Sequence, residues 1–258
     1  MTITIATWNV NSIRSRLEHL TRWLREDAPD VVLLQELKCT DEQFPRMEIE
    51  DLGYNVATFG QKTYNGVAIL SKFPLSDVSR GLAGDDDDAQ ARYIEAVVEA
   101  PIVFRVASVY VVNGQEVGSD KFAYKLRFLE RLRAHLQTLL TYDEAVVIGG
   151  DYNIAPDDAD VHSPKAWAGS VLTHDDVRGP FRRLLNMGYY DAAKVAGTPA
   201  FTWWDYRAGA LQKDDGLRID HFLLSAMAAD RLQSCTVAKK LRELEKASDH
   251  APVVVVMR

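Results

Sequence analysis

The chain has 258 residues, 47% of them hydrophobic, and a formal net charge of −7, so it can bury a large core but is not built to coat nucleic acid by bulk electrostatics. An acidic balance still leaves room for a nuclease, because site carboxylates can be neutralised by a metal while basic residues gather elsewhere. No linker-like tract or repeat interrupts residues 1–258, which predicts one domain; residues 1–10 do not read as a signal peptide, residues 252–257 are too short a run to span a bilayer, and Cys39 and Cys235 read as free thiols of a cytoplasmic protein.

Residues 2–7 alternate well enough for a strand that delivers Trp8-Asn9-Val10-Asn11 at its end, where Asn9 and Asn11 share one face of an extended backbone. A helix capped by Ser12 follows, with Ile13, Leu17, Leu20 and Leu24 on one stripe and an end near Pro29. Residues 30–38 read as a buried strand carrying Glu36 at its exit. A carboxylate behind a core run is costly to desolvate unless a cation or several donors compensate it; the bland alternative is a strand end emerging into water. Residues 54–59 and 66–71 read as two strands joined by a hairpin, and the acidic run at 85–88 as a solvated loop whose spacing does not suit calcium. Two further strands at 93–99 and 103–112 bring Tyr110 and Asn113 to an end. The segment 120–142 reads as a long helix with Leu129, Leu132, Leu136, Leu139 and Leu140 facing the core and Lys121, Lys125, Arg127, Arg131 and Arg133 on its wet face.

The run Val146-Val147-Ile148-Gly149-Gly150-Asp151-Tyr152-Asn153 reads as a buried strand that ends at two glycines and hands Asp151 and Asn153 to an exposed turn. Spaced two apart, the two side chains point to one spot, a pairing that suits a phosphate and a water, although Gly, Asp and Asn are also common in turns for backbone reasons alone. A polar loop over 155–176, a short helix at 178–185, an aromatic cluster at 201–206, a strand at 217–225 containing Asp220, and Asp249-His250 before the last strand complete the chain. In the aromatic cluster at least one of Trp203 and Trp204 is expected to be core. Collected at one place, these residues supply what metal-assisted phosphodiester hydrolysis needs. Glu36 and Asp249 suit Mg²⁺, which takes few carboxylates and keeps water; Asp151 can accept a proton from water; His250 can contact the phosphate, oriented by Asp220.

Trp8-Asn9-Val10-Asn11, Leu34-Gln35-Glu36-Leu37-Lys38, Asn65-Gly66-Val67-Ala68, Gly150-Asp151-Tyr152-Asn153, Gly216-Leu217-Arg218-Ile219-Asp220 and Ser248-Asp249-His250-Ala251-Pro252 resemble, in order, the motifs of the exonuclease III family of AP endonucleases, part of the superfamily shared with deoxyribonuclease I. Thr202-Trp203-Trp204-Asp205-Tyr206-Arg207 resembles its bacterial branch. The resemblance implies an α/β fold, a four-layer sandwich of two facing, mostly antiparallel sheets flanked by helices. It implies a Mg²⁺-dependent enzyme, with Mn²⁺ as a substitute, acting on double-stranded DNA with abasic sites, nicks or blocked 3′ ends: incision 5′ to an abasic site, 3′-phosphatase and end cleaning, and 3′-to-5′ exonuclease digestion, each leaving a 3′-hydroxyl. A monomer with no membrane partner is expected.

Carried over by position, the resemblance makes Glu36, Asn11 and Asp249 the metal group. It makes Tyr110, Asp151, Asn153, Asp220 and His250 the catalytic group, and Asn9, Asn113, Trp203, Leu217 and Ile219 the substrate-binding one, the last three walling a slot for a flipped-out abasic sugar. Two departures stand out. Asn11 replaces an Asp found in some relatives, which implies weaker metal binding, and Leu172 occupies a place where efficient abasic-site enzymes have a small residue, which implies a bias toward 3′-end processing. Two other readings compete: a phosphatase for small phosphoesters or lipid head groups, against which the 203–207 segment speaks, and a catalytically silent binding protein, against which the full set of acids speaks.

Overall fold

The computed structural model describes residues 2–85 and 87–258. Its strands are β1 (Ile3–Asn9), β2 (Val31–Gln35), β3 (Asn55–Phe59), β4 (Val67–Ser71), β5 (Leu75–Arg80), β6 (Tyr93–Val98), β7 (Phe104–Tyr110), β8 (Val146–Asp151), β9 (Tyr190–Asp191), β10 (Trp203–Trp204), β11 (Gly216–Leu217), β12 (Asp220–Leu224), β13 (Leu232–Val237) and β14 (Val253–Met257). One sheet runs β13-β14-β1-β2-β4-β3, the other β5-β6-β7-β8-β12-β9, and β10 with β11 forms a small ribbon. The pairs β1–β2 and β7–β8 are parallel. The remaining pairings are antiparallel.

Alternation along the strands builds the layers. In β2, Val31 and Leu33 face the core between the sheets with Ile69, Val106, Val147 and Phe222, while Val32 and Leu34 face outward with Trp8, Leu20 and Trp23 of the α1 (Leu17–Glu26) side. On the far side Val146 and Ile148 pack under Leu129, Leu132, Leu136 and Phe181, residues of two long helices. Each large apolar side chain so buried contributes about 1.5–3 kcal/mol, so these three clusters, rather than surface ion pairs, hold the four layers together. Between α1 and those two lies a short helix, α2 (Arg46–Glu50); the long ones are α3 (Asp120–Leu139) and α5 (Asp175–Asn186), separated by α4 (Pro164–Trp167). The expected four-layer sandwich is the observed one. Among the described residues no helix is long and apolar enough to cross a membrane.

Several local expectations are corrected. Ser12 caps no helix: Asn11 and Ser12 take positive φ of 44° and 91°, and α1 begins five residues later, at Leu17, without a side-chain cap. Gly149 and Gly150 do not end β8 but lie inside it, because a Cβ at Gly150 would sit 1.9 Å from the Val109 carbonyl oxygen and one at Gly149 2.5 Å from the Phe222 ring. The predicted strand over 217–225 is broken into β11 and β12, and the loop at 155–176 contains α4. The acidic run is not wholly solvated, since Asp88 accepts bonds from Arg131 and Tyr124; Asp86 lies outside the described residues.

Candidate active site

The two parallel pairs explain why residues so distant in sequence meet. Parallel neighbours finish at the same edge, so Asn9 lies opposite Gln35, just before Glu36, and Tyr110 lies opposite Asp151. Antiparallel β12 begins where β8 ends, which sets Asp220 against Asp151, and β14 begins beside the end of β1, which brings Asp249 and His250 to the same rim. There Glu36, Tyr110, Asn113, Asp151, Asn153, Leu172, Trp203, Ile219, Asp249 and His250 line one cleft of about 190 Å³.

A single local device ends both β1 and β8. The Asn11 backbone N–H donates to Asn9 Oδ1 at 3.0 Å, and the Asn153 N–H donates to Asp151 Oδ1 at 2.8 Å. In each case the second residue turns into the left-handed region, with φ of 44° at Asn11 and 49° at Asn153. The Asp151 and Asn153 side chains therefore meet through a tight turn and not, as the extended-backbone reading has it, by sharing a strand face. Glu36 is also left-handed, at φ 52°. Strained backbone of this kind persists only where surrounding structure over-determines it.

The hydrogen bonds join these ends into one network. Asn9 Nδ2 donates to Glu36 Oε1 at 2.9 Å and to Asp151 Oδ2 at 3.0 Å, holding the two carboxylates a fixed distance apart. Tyr110 donates its phenol hydrogen to Glu36 Oε1 at 2.9 Å, and the Arg92 guanidinium stacks 4.8 Å from the centre of the Tyr110 ring. Asn153 Nδ2 donates to Asp151 Oδ2 at 3.1 Å, and Asn113 Nδ2 to Asn153 Oδ1 at 3.0 Å. On the opposite wall Trp203 Nε1 and Asn11 Nδ2 each donate at 2.9 Å to an oxygen of Asp249.

His250 is 4% exposed, with Nδ1 2.9 Å from Asp220 Oδ2 and Nε2 3.8 Å from Asp151 Oδ2. Burial alone would push its imidazolium down, but the Asp220 and Asp151 carboxylates outweigh burial and hold it up at about 10. Burial, reinforced by Asp220 and Glu36, pushes the Asp151 carboxyl up to about 7 against the pull of His250. Between the two, the proton resides on His250, because Asp220 binds its Nδ1–H directly. Burial likewise works against Glu36, yet Lys38 and Asn9 hold its carboxyl below the usual range; at Asp249, His250, Trp203 and Asn11 do the same. Burial and the neighbouring Glu36 and Asp151 carboxylates push the Tyr110 phenol well up, so it stays a donor.

Two residues expected to touch substrate do not reach the cleft. Asn9 is fully buried and spends its amide on carboxylates, and Leu217 is fully buried behind Ile219 and Trp203 in the apolar cluster beside it. Asp220 also lies behind the surface, where it binds His250 Nδ1. Trp203, Ile219 and Leu172 form the part of the apolar wall that lines the cleft, and Trp204 is the structural member of the tryptophan pair, 1% exposed. Sequence reasoning missed Thr202, whose hydroxyl donates to Asp220 Oδ2 at 2.6 Å and accepts the Ile219 and Asp220 N–H groups. A threonine beside an aromatic run carries no signal for that role.

A model described as the Endonuclease/Exonuclease/phosphatase family matches residues 6–250. Exodeoxyribonuclease III of Haemophilus influenzae is 34% identical over 96% of this chain and 97% of its own length. The chain belongs to the endonuclease/exonuclease/phosphatase family. Within it, a variant of the 3′ phosphatase NExo from Neisseria, solved with a product DNA hairpin, is 39% identical with a TM-score of 0.95 over 99% of each chain. An AP endonuclease from Archaeoglobus fulgidus is 38% identical with a TM-score of 0.93, again over 99% of each chain. The protein is thus a nuclease of the exonuclease III and AP endonuclease type.

The family is metal-dependent, and the residues of this chain fit a divalent cation. Four carboxylates, Glu36, Asp151, Asp220 and Asp249, face two cations, Lys38 and His250, so the rim carries a surplus of negative charge. Two donor sets are available. The oxygens of Asp151 and Asp220 lie within 4.8 Å of each other and of a His250 nitrogen, but that imidazole is engaged by both acids and keeps its proton. The alternative set is all oxygen. Lys38 Nζ already bridges Glu36 Oε2 at 2.9 Å and Asn11 Oδ1 at 2.5 Å, which marks that spot as one where a cation is stable.

Proposed function

We propose that the chain, acting in the cytoplasm as a single catalytic unit, is a Mg²⁺-dependent DNA repair phosphodiesterase that breaks the bond between phosphorus and a 3′ oxygen. One bond cleavage accounts for 3′-to-5′ digestion of duplex DNA, removal of 3′-phosphates and blocked 3′ ends, and incision 5′ to an abasic site, each leaving a 3′-hydroxyl. The observation that carries this reading is a hydrogen-bonded line of acids, amides and a protonated histidine beside an apolar wall in one cleft.

Glu36, Asn11 and Asp249 would hold the metal, with Mn²⁺ able to substitute; bound there, the ion supplies Lewis-acid stabilisation of charge on the phosphate and leaving oxygen. Asp151, fixed by Asn9 and Asn153, takes a proton from the attacking water. His250 donates its Nε2–H to a phosphoryl oxygen while Asp220 holds Nδ1–H. Asn113, Asn153 and Tyr110 line the same cleft, their donors paired with Asn153, Asp151 and Glu36 in the free site, and contact the phosphate by exchanging those bonds. Trp203 and Ile219, with Leu217 behind them, receive the sugar. A second cleft of about 350 Å³ shares Tyr110 and Asn113 and offers Arg92, Lys121 and Tyr64, and it continues the path of a DNA strand away from the reacting phosphate.

Leu172, 6% exposed and in the wall, narrows the slot, so 3′-end processing is favoured over internal incision. A panel of duplexes with an abasic site, a 3′-phosphate or a blunt end, plus single-stranded DNA, run with and without a chelator, tests the reading. The expected result is fastest release of 3′-phosphate and no turnover in chelator. Turnover that survives chelation, or none on any DNA, would overturn it.

A further inference from the structure

Among the described residues Lys125 is the one fully buried lysine, and it was expected on the wet face of α3. Its Nζ donates to three backbone carbonyls, those of Asn113 at 3.0 Å, Asn153 at 2.7 Å and Val171 at 2.7 Å. An ammonium has three N–H groups, so its donors are fully used and none is left for a ligand. The three carbonyls belong to three different loops, and each loop carries a side chain of the cleft: Asn113, Asn153, and Leu172 directly after Val171.

The backbone at two of these points is left-handed. Asn153 has φ of 49° and Gly114, after Asn113, has φ of 96°. Asparagine tolerates that region, and its turn is held at both ends: the Asn153 N–H is bound by Asp151 and its carbonyl by Lys125. Packing leaves little slack, since a Cβ added at Gly114 would come within 3.2 Å of Lys125 Cδ. Burial pushes the ammonium down to about 7, opposed by the nearby Asp151 carboxylate.

We infer that Lys125 is a positioning residue of the active site: its ammonium gathers the three loops so that Asn153 and Asn113 meet Asp151 and the phosphate in one arrangement. The inference rests on the proposed phosphate-contacting role of those two asparagines. Removing the ammonium leaves the fold's layers intact but frees the turn that aims Asn153, a displacement that touches turnover more than binding.

The test is a double-substitution cycle on a 3′-phosphate duplex, with folding checked by near-ultraviolet circular dichroism. In Lys125→Met, similar in length but without donors, kcat falls about 30-fold while KM stays within about threefold. In the Asn153→Ala background, where the aimed amide is already gone, the same change costs less than about threefold. Equal losses in both backgrounds, or an unchanged kcat in folded Lys125→Met, would overturn the inference. If Lys125→Met does not fold, Lys125→Gln, which keeps two donors, carries the cycle; failure of both to fold would assign the ammonium to stability and also overturn it. Wild-type kcat in Asn153→Ala alone would remove the phosphate-site reading instead, so the two failures are distinct.

Discussion

Asp220 and His221 are adjacent on β12, and their side chains leave the strand on opposite faces. On one face Asp220 grips His250; on the other His221 accepts a bond from Arg218 at 3.0 Å and faces the Ile154 carbonyl at 2.8 Å. Both imidazoles are buried, yet carboxylates hold His250 up at about 10, while burial and the Arg218 charge push His221 down to about 4. Burial alone would make both neutral. The difference lies in the partner: a surplus of acids on the cleft side keeps a proton on His250, and a guanidinium on the outer side keeps the other ring neutral, donating its one N–H to a carbonyl.

The largest break in this comparison is Asp151→Asn. It keeps the size and one of the two bonds that Asn9 and the Asn153 N–H donate, but removes the proton acceptor, so kcat is expected to fall about 10³-fold with the folded state and DNA binding retained. Cleavage near the wild-type rate would remove Asp151 as base. Next is Asp220→Asn, which takes away the charge that holds the His250 proton. Turnover at neutral pH should fall about 100-fold, and the alkaline limb of the rate profile should move to lower pH, because the raised value at His250 loses its main support. A profile that falls in height without moving would detach Asp220 from the charge state of His250.

These two acids were legible because each sits in a motif at a strand end, and strand ends could be read from the β-branched run Val146-Val147-Ile148 before Asp151 and the apolar run Phe222-Leu223-Leu224 after Asp220. The buried layers were legible for the same reason. What periodicity did not show was set by tertiary contact. Lys125 shares the spacing of exposed charges on α3, and only three carbonyls from distant loops make it a core residue. Asn9 looked like a ligand for substrate because nothing in its neighbours reveals two carboxylates arriving from β2 and β8. The edge strands β5 and β13 carry too many polar residues to alternate cleanly, and β9 is too short to signal itself.

The outer face of β12 offers a comparison by pH. His221 has a folded value of about 4, below its ordinary 6.5, so the unfolded chain binds the proton first. Its contribution to stability is fully present above about 6.5 and is lost as pH falls toward 4, amounting to about 3 kcal/mol. His250, raised above 6.5, runs the other way, with a contribution present below that value and lost as pH rises through about 10. In urea unfolding, His221→Gln should therefore lose less stability than wild type between pH 7 and pH 4.5. Parallel curves for the two proteins would show that the His221 ring is not held neutral.

The smallest expected effect concerns specificity. Leu172 packs with Ala155, Val161, Leu217 and Ile219 on the apolar side of the cleft, so Leu172→Gly both opens that side and leaves a cavity. Lost packing lowers the amount of active enzyme and therefore slows cleavage of every substrate alike. Widening the slot acts only on a substrate that must swing a sugar past Leu172 with DNA on both sides. The informative quantity is therefore the ratio of internal abasic incision to 3′-phosphate release on one preparation, which should rise about fivefold in Leu172→Gly. If both rates drop together and the ratio holds, Leu172 is packing, and the preference for 3′ ends must come from elsewhere in the cleft.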